Sequence, residues 1–164
     1  MKKIIVIGCP GSGKSYFTKV LSEKLNIKKY HLDLYYWKEN WTPTPKDKFL
    51  EIINNILKND EYIIDGNYNS TLEIRFQHAD TIFFLDLPTE VCLQSEKQRR
   101  GKKRDDLPYY LSEKGEDKEF IDFICNFAVT NRLRILSLIE KYNYKNIIVF
   151  KTREDVNNYL NDIK

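Results

Sequence analysis

An α/β domain with a parallel sheet between helices is the fold class this sequence predicts, and three observations predict it. Short apolar runs alternate along the chain with amphipathic stretches of helical period. One run, Thr81-Ile82-Phe83-Phe84-Leu85, is apolar without alternation, as a strand buried on both faces must be. The first run, Ile4-Ile5-Val6-Ile7, leads into Gly8-Cys9-Pro10-Gly11-Ser12-Gly13-Lys14-Ser15, the pattern G-x-x-x-x-G-K-[ST], and then into a helical stretch carrying Phe17, Val20, Leu21 and Leu25.

The spacing of that loop follows from its chemistry. Glycines at 8, 11 and 13 let the backbone N–H groups turn inward as an anion nest, and the helix that follows adds its positive N-terminal end. Pro10 stiffens the turn. Lys14 reaches the β- and γ-phosphates of a nucleoside triphosphate and Ser15 offers a hydroxyl to Mg²⁺, a cation that takes hard oxygen ligands. Gly8, Pro10, Gly11, Ser12, Gly13, Lys14, Ser15 and Tyr16 are therefore the expected set around ATP or another NTP.

A chain of 164 residues, 41% hydrophobic and 31% charged, suits one globular domain. No apolar run approaches the roughly 20 residues of a membrane span, and the first strand begins too early to leave room for a secretory leader. A cytoplasmic protein, with no membrane partner and monomeric or homodimeric, is expected. The three cysteines, Cys9, Cys92 and Cys125, lack metal-ligand spacing and read as reduced thiols. Cys9 beside a helix N-terminus is either an acidified thiol or a small filler. A net charge of +3 is too small to argue for nucleic acid by itself.

After the first helix, residues 29–33 read as a strand ending on Asp33. The aromatic stretch 34–41, with Tyr36 and Trp37, either lines a pocket or packs as a flap. Thr44-Pro45-Lys46-Asp47 predicts a helix with Thr44 as its cap, and Phe49, Ile52, Ile53, Ile56 and Leu57 predict its buried stripe. A strand at 62–65 ends on Asp65-Gly66, and the strand near 81–87 ends before Pro88. A helix over 89–100 then delivers the run Arg99-Arg100-Gly101-Lys102-Lys103-Arg104. Residues 105–116 read as an excursion. One long helix from about Asp117 through Ile139, a last strand at 145–150 and a helix capped by Thr152 and Asp155 complete five strands. Ligands of such sheets lie beyond the carboxyl ends of the strands, so Gly8, Asp33, Asp65 and the residues after Asp86 should share a cleft.

The segments GCPGSGKS, HLDLYYW, TPTP, YIIDGNY and DTIFFLDLP resemble the topology modulation proteins (FlaR-like), in the adenylate-kinase-like branch of P-loop kinases. The resemblance covers nearly the whole chain. It implies a three-layer P-loop NTPase fold with strand order 2-3-1-4-5, an acceptor-side flap near 33–60 and an arginine-bearing lid near 99–118. It also implies Asp65 near the Mg²⁺ shell, lid arginines Arg99, Arg100 and Arg104 over the transferring phosphate, and Arg132 or Arg134 after the lid as a further catalytic cation. The sequence departs from adenylate kinases after Asp-Gly, where Asn67-Tyr68-Asn69 precede a late Arg75.

Phosphoryl transfer requires an aligned acceptor, a metal and cations, with little covalent work by the protein. Gly66, Asn67, Tyr36, Trp37 and Arg75 are candidates to line the acceptor side. Asp33 has three readings. It accepts a proton from a hydroxyl acceptor, or holds Mg²⁺-bound water while Arg75 takes an acceptor phosphate, or merely forms a turn. His31 reads as a packed strand residue. The expected activity is Mg²⁺-dependent transfer of the γ-phosphoryl group of ATP to a small acceptor, a nucleoside, nucleotide or other hydroxyl compound. The alternatives are a nucleotide-binding regulator associated with DNA topology, without kinase turnover, motivated by the cationic run and the family resemblance, and a simple NTPase.

Overall fold

The computed structural model describes residues 1–111 and 117–163. The chain opens with β1 (Lys3–Gly8), α1 (Lys14–Leu25), β2 (Lys29–His31) and the single turn α2 (Asp33–Tyr36). A small hairpin, β3 (Trp37–Lys38) and β4 (Thr42–Pro43), leads to α3 (Lys46–Leu57), β5 (Tyr62–Asp65), α4 (Asn69–His78), β6 (Thr81–Leu85) and α5 (Thr89–Arg99). Then come α6 (Lys118–Asn126), α7 (Asn131–Lys141), β7 (Asn146–Phe150) and α8 (Arg153–Asp162).

The main sheet is parallel and runs β2-β5-β1-β6-β7. Counted among its own five strands, that is the expected order 2-3-1-4-5. Such an order follows from right-handed crossovers: β1 moves over β5 to β2 with α1 on one face, and the later connections return on the other. Accordingly α1 packs with α8, and α4 packs with α3 and α7. Every residue of β6 is buried, as the unbroken apolar run requires. Phe17 of α1 meets Phe83 edge-on at 4.9 Å, and Phe83 stacks on Phe150 at 6.0 Å, so aromatic rings fill the layer under α1. The register sets Asp65 level with His31 and Val6, and Gly8 level with Leu85 and Phe150. The carboxyl ends of the strands therefore form one shelf. No helix among the described residues is long and apolar enough to cross a membrane.

Three local expectations are corrected. The aromatic stretch forms α2 and the hairpin β3–β4, two short strands beyond the five expected. Thr44 does not cap α3; its N–H donates to Tyr36 O at 2.7 Å and its hydroxyl to Tyr35 O at 3.0 Å, closing the hairpin onto α2. Pro45 takes the cap position with extended backbone. The long helix from Asp117 is broken at residues 127–130. There the Thr130 hydroxyl donates to Asn126 O at 2.8 Å and Thr130 leaves helical backbone, a competition that threonine side chains offer. Of the expected excursion, residues 112–116 lie outside the described residues.

The capping box at Thr152 is formed as the sequence implies: Asp155 N–H donates to the Thr152 hydroxyl at 3.1 Å and Thr152 N–H to the Asp155 carboxylate at 2.9 Å. Thr152→Ala should cost about 1 kcal/mol. In urea denaturation the midpoint should fall with the slope unchanged.

Candidate functional site

The phosphate loop is shaped by contacts that exclude side chains. Gly8 has φ +151°, and a Cβ there would lie 2.5 Å from Leu85 O. Gly11 has φ +81°, and its Cβ would lie 2.2 Å from Cys92 O, because the first turn of α5 packs against the loop. Lys14, the first residue of α1, folds back so that Nζ donates to Gly8 O at 2.9 Å and Cys9 O at 3.0 Å. Burial lowers its pKa, and Asp65, Cys9 and Asp33 oppose that shift.

The loop leaving β5 joins this cradle to Asp33. Arg75, reaching back from α4, is completely buried. Its Nη1 donates to Gly66 O at 2.7 Å, its Nη2 to Asn67 O and to Tyr68 O, and its Nε to Thr71 O at 3.3 Å. Asn67 then clamps Gly8, accepting from its N–H at 3.1 Å and donating to its carbonyl at 2.7 Å. The Tyr68 hydroxyl donates to the Asp33 carboxylate. Burial raises the Asp33 pKa and the bond from Tyr68 works against it. Asp65, also buried, accepts the His31 ring Nδ1 at 2.8 Å. Burial lowers the His31 pKa, but the hydrogen bond and charge of Asp65 outweigh it and leave the pKa raised.

Gly66, Asn67 and Arg75, all in the expected acceptor set, are joined by hydrogen bonds that build the loop after β5. Tyr36 packs against Phe49 at 5.1 Å and Tyr68 at 4.5 Å, and Trp37 against Tyr36 at 4.8 Å, so the aromatic stretch packs as a flap.

The segment after α5 reaches the phosphate loop through Asp106. Arg99 pairs within α5 with Glu96. Arg100 is the C-cap of α5 and does not line the cavity beside the loop. Arg104 grips Asp106 with Nε on Oδ1 and Nη2 on Oδ2, both at 2.8 Å, and Asp106 Oδ2 accepts the Ser15 hydroxyl at 2.6 Å. Although burial raises its pKa, the bonds and charge of Arg104 leave Asp106 well below the usual carboxylate range. Farther on, the Tyr110 hydroxyl donates to Trp37 O at 3.1 Å, so the same segment touches the flap.

A cavity of about 560 Å³ opens between Gly11, Gly13, Lys14, Ser15, Arg104 and Arg153. Arg153, at the exit of β7, donates to Gly11 O at 3.2 Å and to the Ser95 hydroxyl at 2.5 Å. Neither Asp106 nor Arg153 was singled out from sequence, although Arg153 follows a strand end, where this sheet class places ligands. Tyr16 lines the same cavity. Arg132 does not: it pairs with Asp86 through Nε at 2.8 Å and Nη2 at 2.9 Å, and lines a second cavity with Cys9 and Lys151. Arg134 is not among the residues of either cavity. Cys9 is buried, and its hydrogen bond with Cys92, ahead of burial, pushes its thiol pKa up, the reverse of an acidified thiol.

The cradle fits a polyphosphate. Its glycines leave bare backbone where a Cβ would be blocked, and the buried Ser12 hydroxyl has no partner among the described residues. The Ser15 hydroxyl and the Asp65 carboxylate are hard oxygens of the kind Mg²⁺ takes when phosphates complete its shell.

A profile of the family described as AAA domain matches residues 4–122. A protein named "Putative adenylate kinase" from Sulfurisphaera tokodaii is 28% identical over 145 residues, covering 79% of this chain and 74% of that protein. Among solved structures, shikimate kinase from Acinetobacter baumannii in complex with shikimate has a TM-score of 0.63 at 12% identity, covering 100% of this chain and 96% of the other. Shikimate kinase from Aquifex aeolicus gives 0.55 at 22% identity, with 96% and 92% covered. At these identities the likeness is one of fold, the three-layer P-loop NTPase architecture.

Replacing Arg75 by Leu leaves buried carbonyls without donors and should cost about 3 kcal/mol or more. Arg75→Lys should recover only part of that, since an ammonium cannot fork across successive carbonyls. Both are read by chemical denaturation. An Arg75 that bound an acceptor phosphate would instead raise KM with stability unchanged.

Proposed function

Because this chain belongs to the AAA domain family and has the fold of P-loop kinases, we propose that it is a Mg²⁺-dependent phosphotransferase moving the γ-phosphoryl group of ATP to the hydroxyl of a small acceptor. A relative named for adenylate and a fold shared with kinases named for shikimate leave the acceptor to this chain's own residues. The observation that carries the hydroxyl reading is the Asp33–Tyr68 bond, on a carboxylate whose charge acts on Lys14. Burial holds that carboxyl nearer the range of a working base, and the Tyr68 hydroxyl aims it. A phosphorylated acceptor would bring like charge to Asp33, and Arg75, the residue expected to meet it, is held by backbone carbonyls.

In this reading the loop N–H groups and Lys14 bind and orient the phosphate chain, and Mg²⁺ held by Ser15 and Asp65 supplies neutralisation of charge on the phosphates. Asp33 takes the acceptor proton. Arg99 and Arg104 line the cavity beside Lys14 and Ser15. The resemblance to topology modulation proteins suggests a regulator acting on DNA through the cationic run. Within that run Arg99 turns to Glu96 and Arg104 to Asp106, which favours the lid role.

Lys14→Ala should keep the fold and abolish transfer. Asp33→Asn should lower kcat by about 10²- to 10⁴-fold with ATP affinity unchanged. Both are measured by ADP release over a panel of nucleosides, sugars and other alcohols, with nucleoside monophosphates as the contrasting class. Efficient turnover of a monophosphate by Asp33→Asn would remove the hydroxyl reading. Turnover by Lys14→Ala would remove the kinase reading.

A further inference from the structure

The carboxylate of Asp106 occupies an unusual place. Its two oxygens receive a guanidinium fork from Arg104 and the hydroxyl of Ser15, the residue that follows the P-loop lysine. Both side chains of the pair are only 13% exposed. The contact lies in the wall of the cavity formed by Gly13, Lys14 and Ser15, so it stands inside the phosphate cradle. Leu107 is buried immediately afterwards, and the Tyr110 hydroxyl donates to Trp37 O, so the segment also touches the β3–β4 hairpin.

A phosphoryl group presents the same paired oxygens to an arginine fork as a carboxylate does. Asp106 is thus placed as a tethered substitute for one. Metal binding does not explain it equally well, because the Arg104 fork already covers both carboxylate oxygens. Nor is it a surface ion pair of the kind that contributes little, since both partners are largely withdrawn from water.

We propose that Asp106 is an internal anion that competes with the donor's phosphates, and that a polyphosphate enters by displacing it from Ser15 and Arg104. The proposal rests on the reading of the cavity as a nucleotide site. With Asp106 bound, Arg104 and Ser15 are already drawn together over the loop. Incoming phosphate oxygens take over the same donors, and the carboxylate moves out with its segment. The binding-competent state is the displaced one, so apparent affinity is reduced by the fraction of molecules in which Asp106 remains seated.

The test compares wild type with Asp106→Asn, which keeps the shape and removes the charge, and Asp106→Ala. Titration calorimetry with inorganic tripolyphosphate, ATP and adenosine is run without Mg²⁺ and repeated with it, after thermal melting has confirmed the fold. Tripolyphosphate and ATP should bind both variants about tenfold more tightly than wild type, with adenosine unchanged. Equal or weaker polyphosphate binding overturns the proposal, as does a loss seen only with Mg²⁺, which would make Asp106 a metal-holding residue. Should Asp106→Ala fail to fold, Asp106→Asn alone decides. Tighter ATP binding with no transfer to any acceptor supports the proposal and removes only the phosphotransferase reading. If neither tripolyphosphate nor ATP binds any of the three proteins, both fall.

Discussion

The buried guanidinium of Arg75 is the interaction on which the rest of the site depends. Where β5 ends, the chain turns through Gly66 at φ +124° and Tyr68 at φ +32°. That conformation points carbonyls inward, where water cannot meet them. A buried carbonyl without a donor costs about 1 to 3 kcal/mol, and a buried cation without acceptors costs more, so each solves the other's problem. The pairing fixes residues 66–68. Through Asn67 it fixes the first glycine of the phosphate loop, and through Tyr68 it fixes Asp33. The phosphate loop and Asp33 are thereby positioned by one side chain that bonds to neither.

Around that frame the charges are arranged in short range. Lys14 and Arg104 stand among Asp33, Asp65 and Asp106, and the carboxyls differ in environment. Asp33 is desolvated with a neutral phenol as its partner, Asp65 is bonded by an imidazole, and Asp106 is gripped by a guanidinium. Burial raises the proton affinity of Asp33, while the bonds and charge of Arg104 overcome burial and lower that of Asp106, which is how neighbouring acids take different roles. Asp86, at the end of β6, is held apart from this group by Arg132 and Lys151.

The parallel α/β class, the loop and the α8 cap were legible because each depends on residues close in sequence or on a period that repeats, whereas the strand order came from the resemblance. Gly8 to Ser15 constrain their own backbone, and the run 81–85 needs only burial to become a central strand. Arg75 was legible as important, but its partners at 66–68 were not, because they are recognisable only once the turn is built. Asp106 was hidden for a related reason. In sequence it is one acid in a charged stretch, and its meaning comes from Ser15, 91 positions away. The hairpin and the break at Thr130 escaped because side-chain bonds to backbone override periodicity there.

The contact between Gly11 and Cys92 gives α5 the mechanics of a lever. Its first turn rests on the phosphate loop at a point where not even a methyl group fits, and Arg153 braces the helix again at Ser95. From Cys92 at that fulcrum to Arg99 at the end of α5 the helix rises about 10 Å at 1.5 Å per residue. A tilt of about 5° at the loop swings the far end by roughly 0.9 Å, enough to stretch a hydrogen bond out of its range. Small adjustments at the bottom of the cradle are thus amplified at its roof, by a rigid arm and without any hinge inside it.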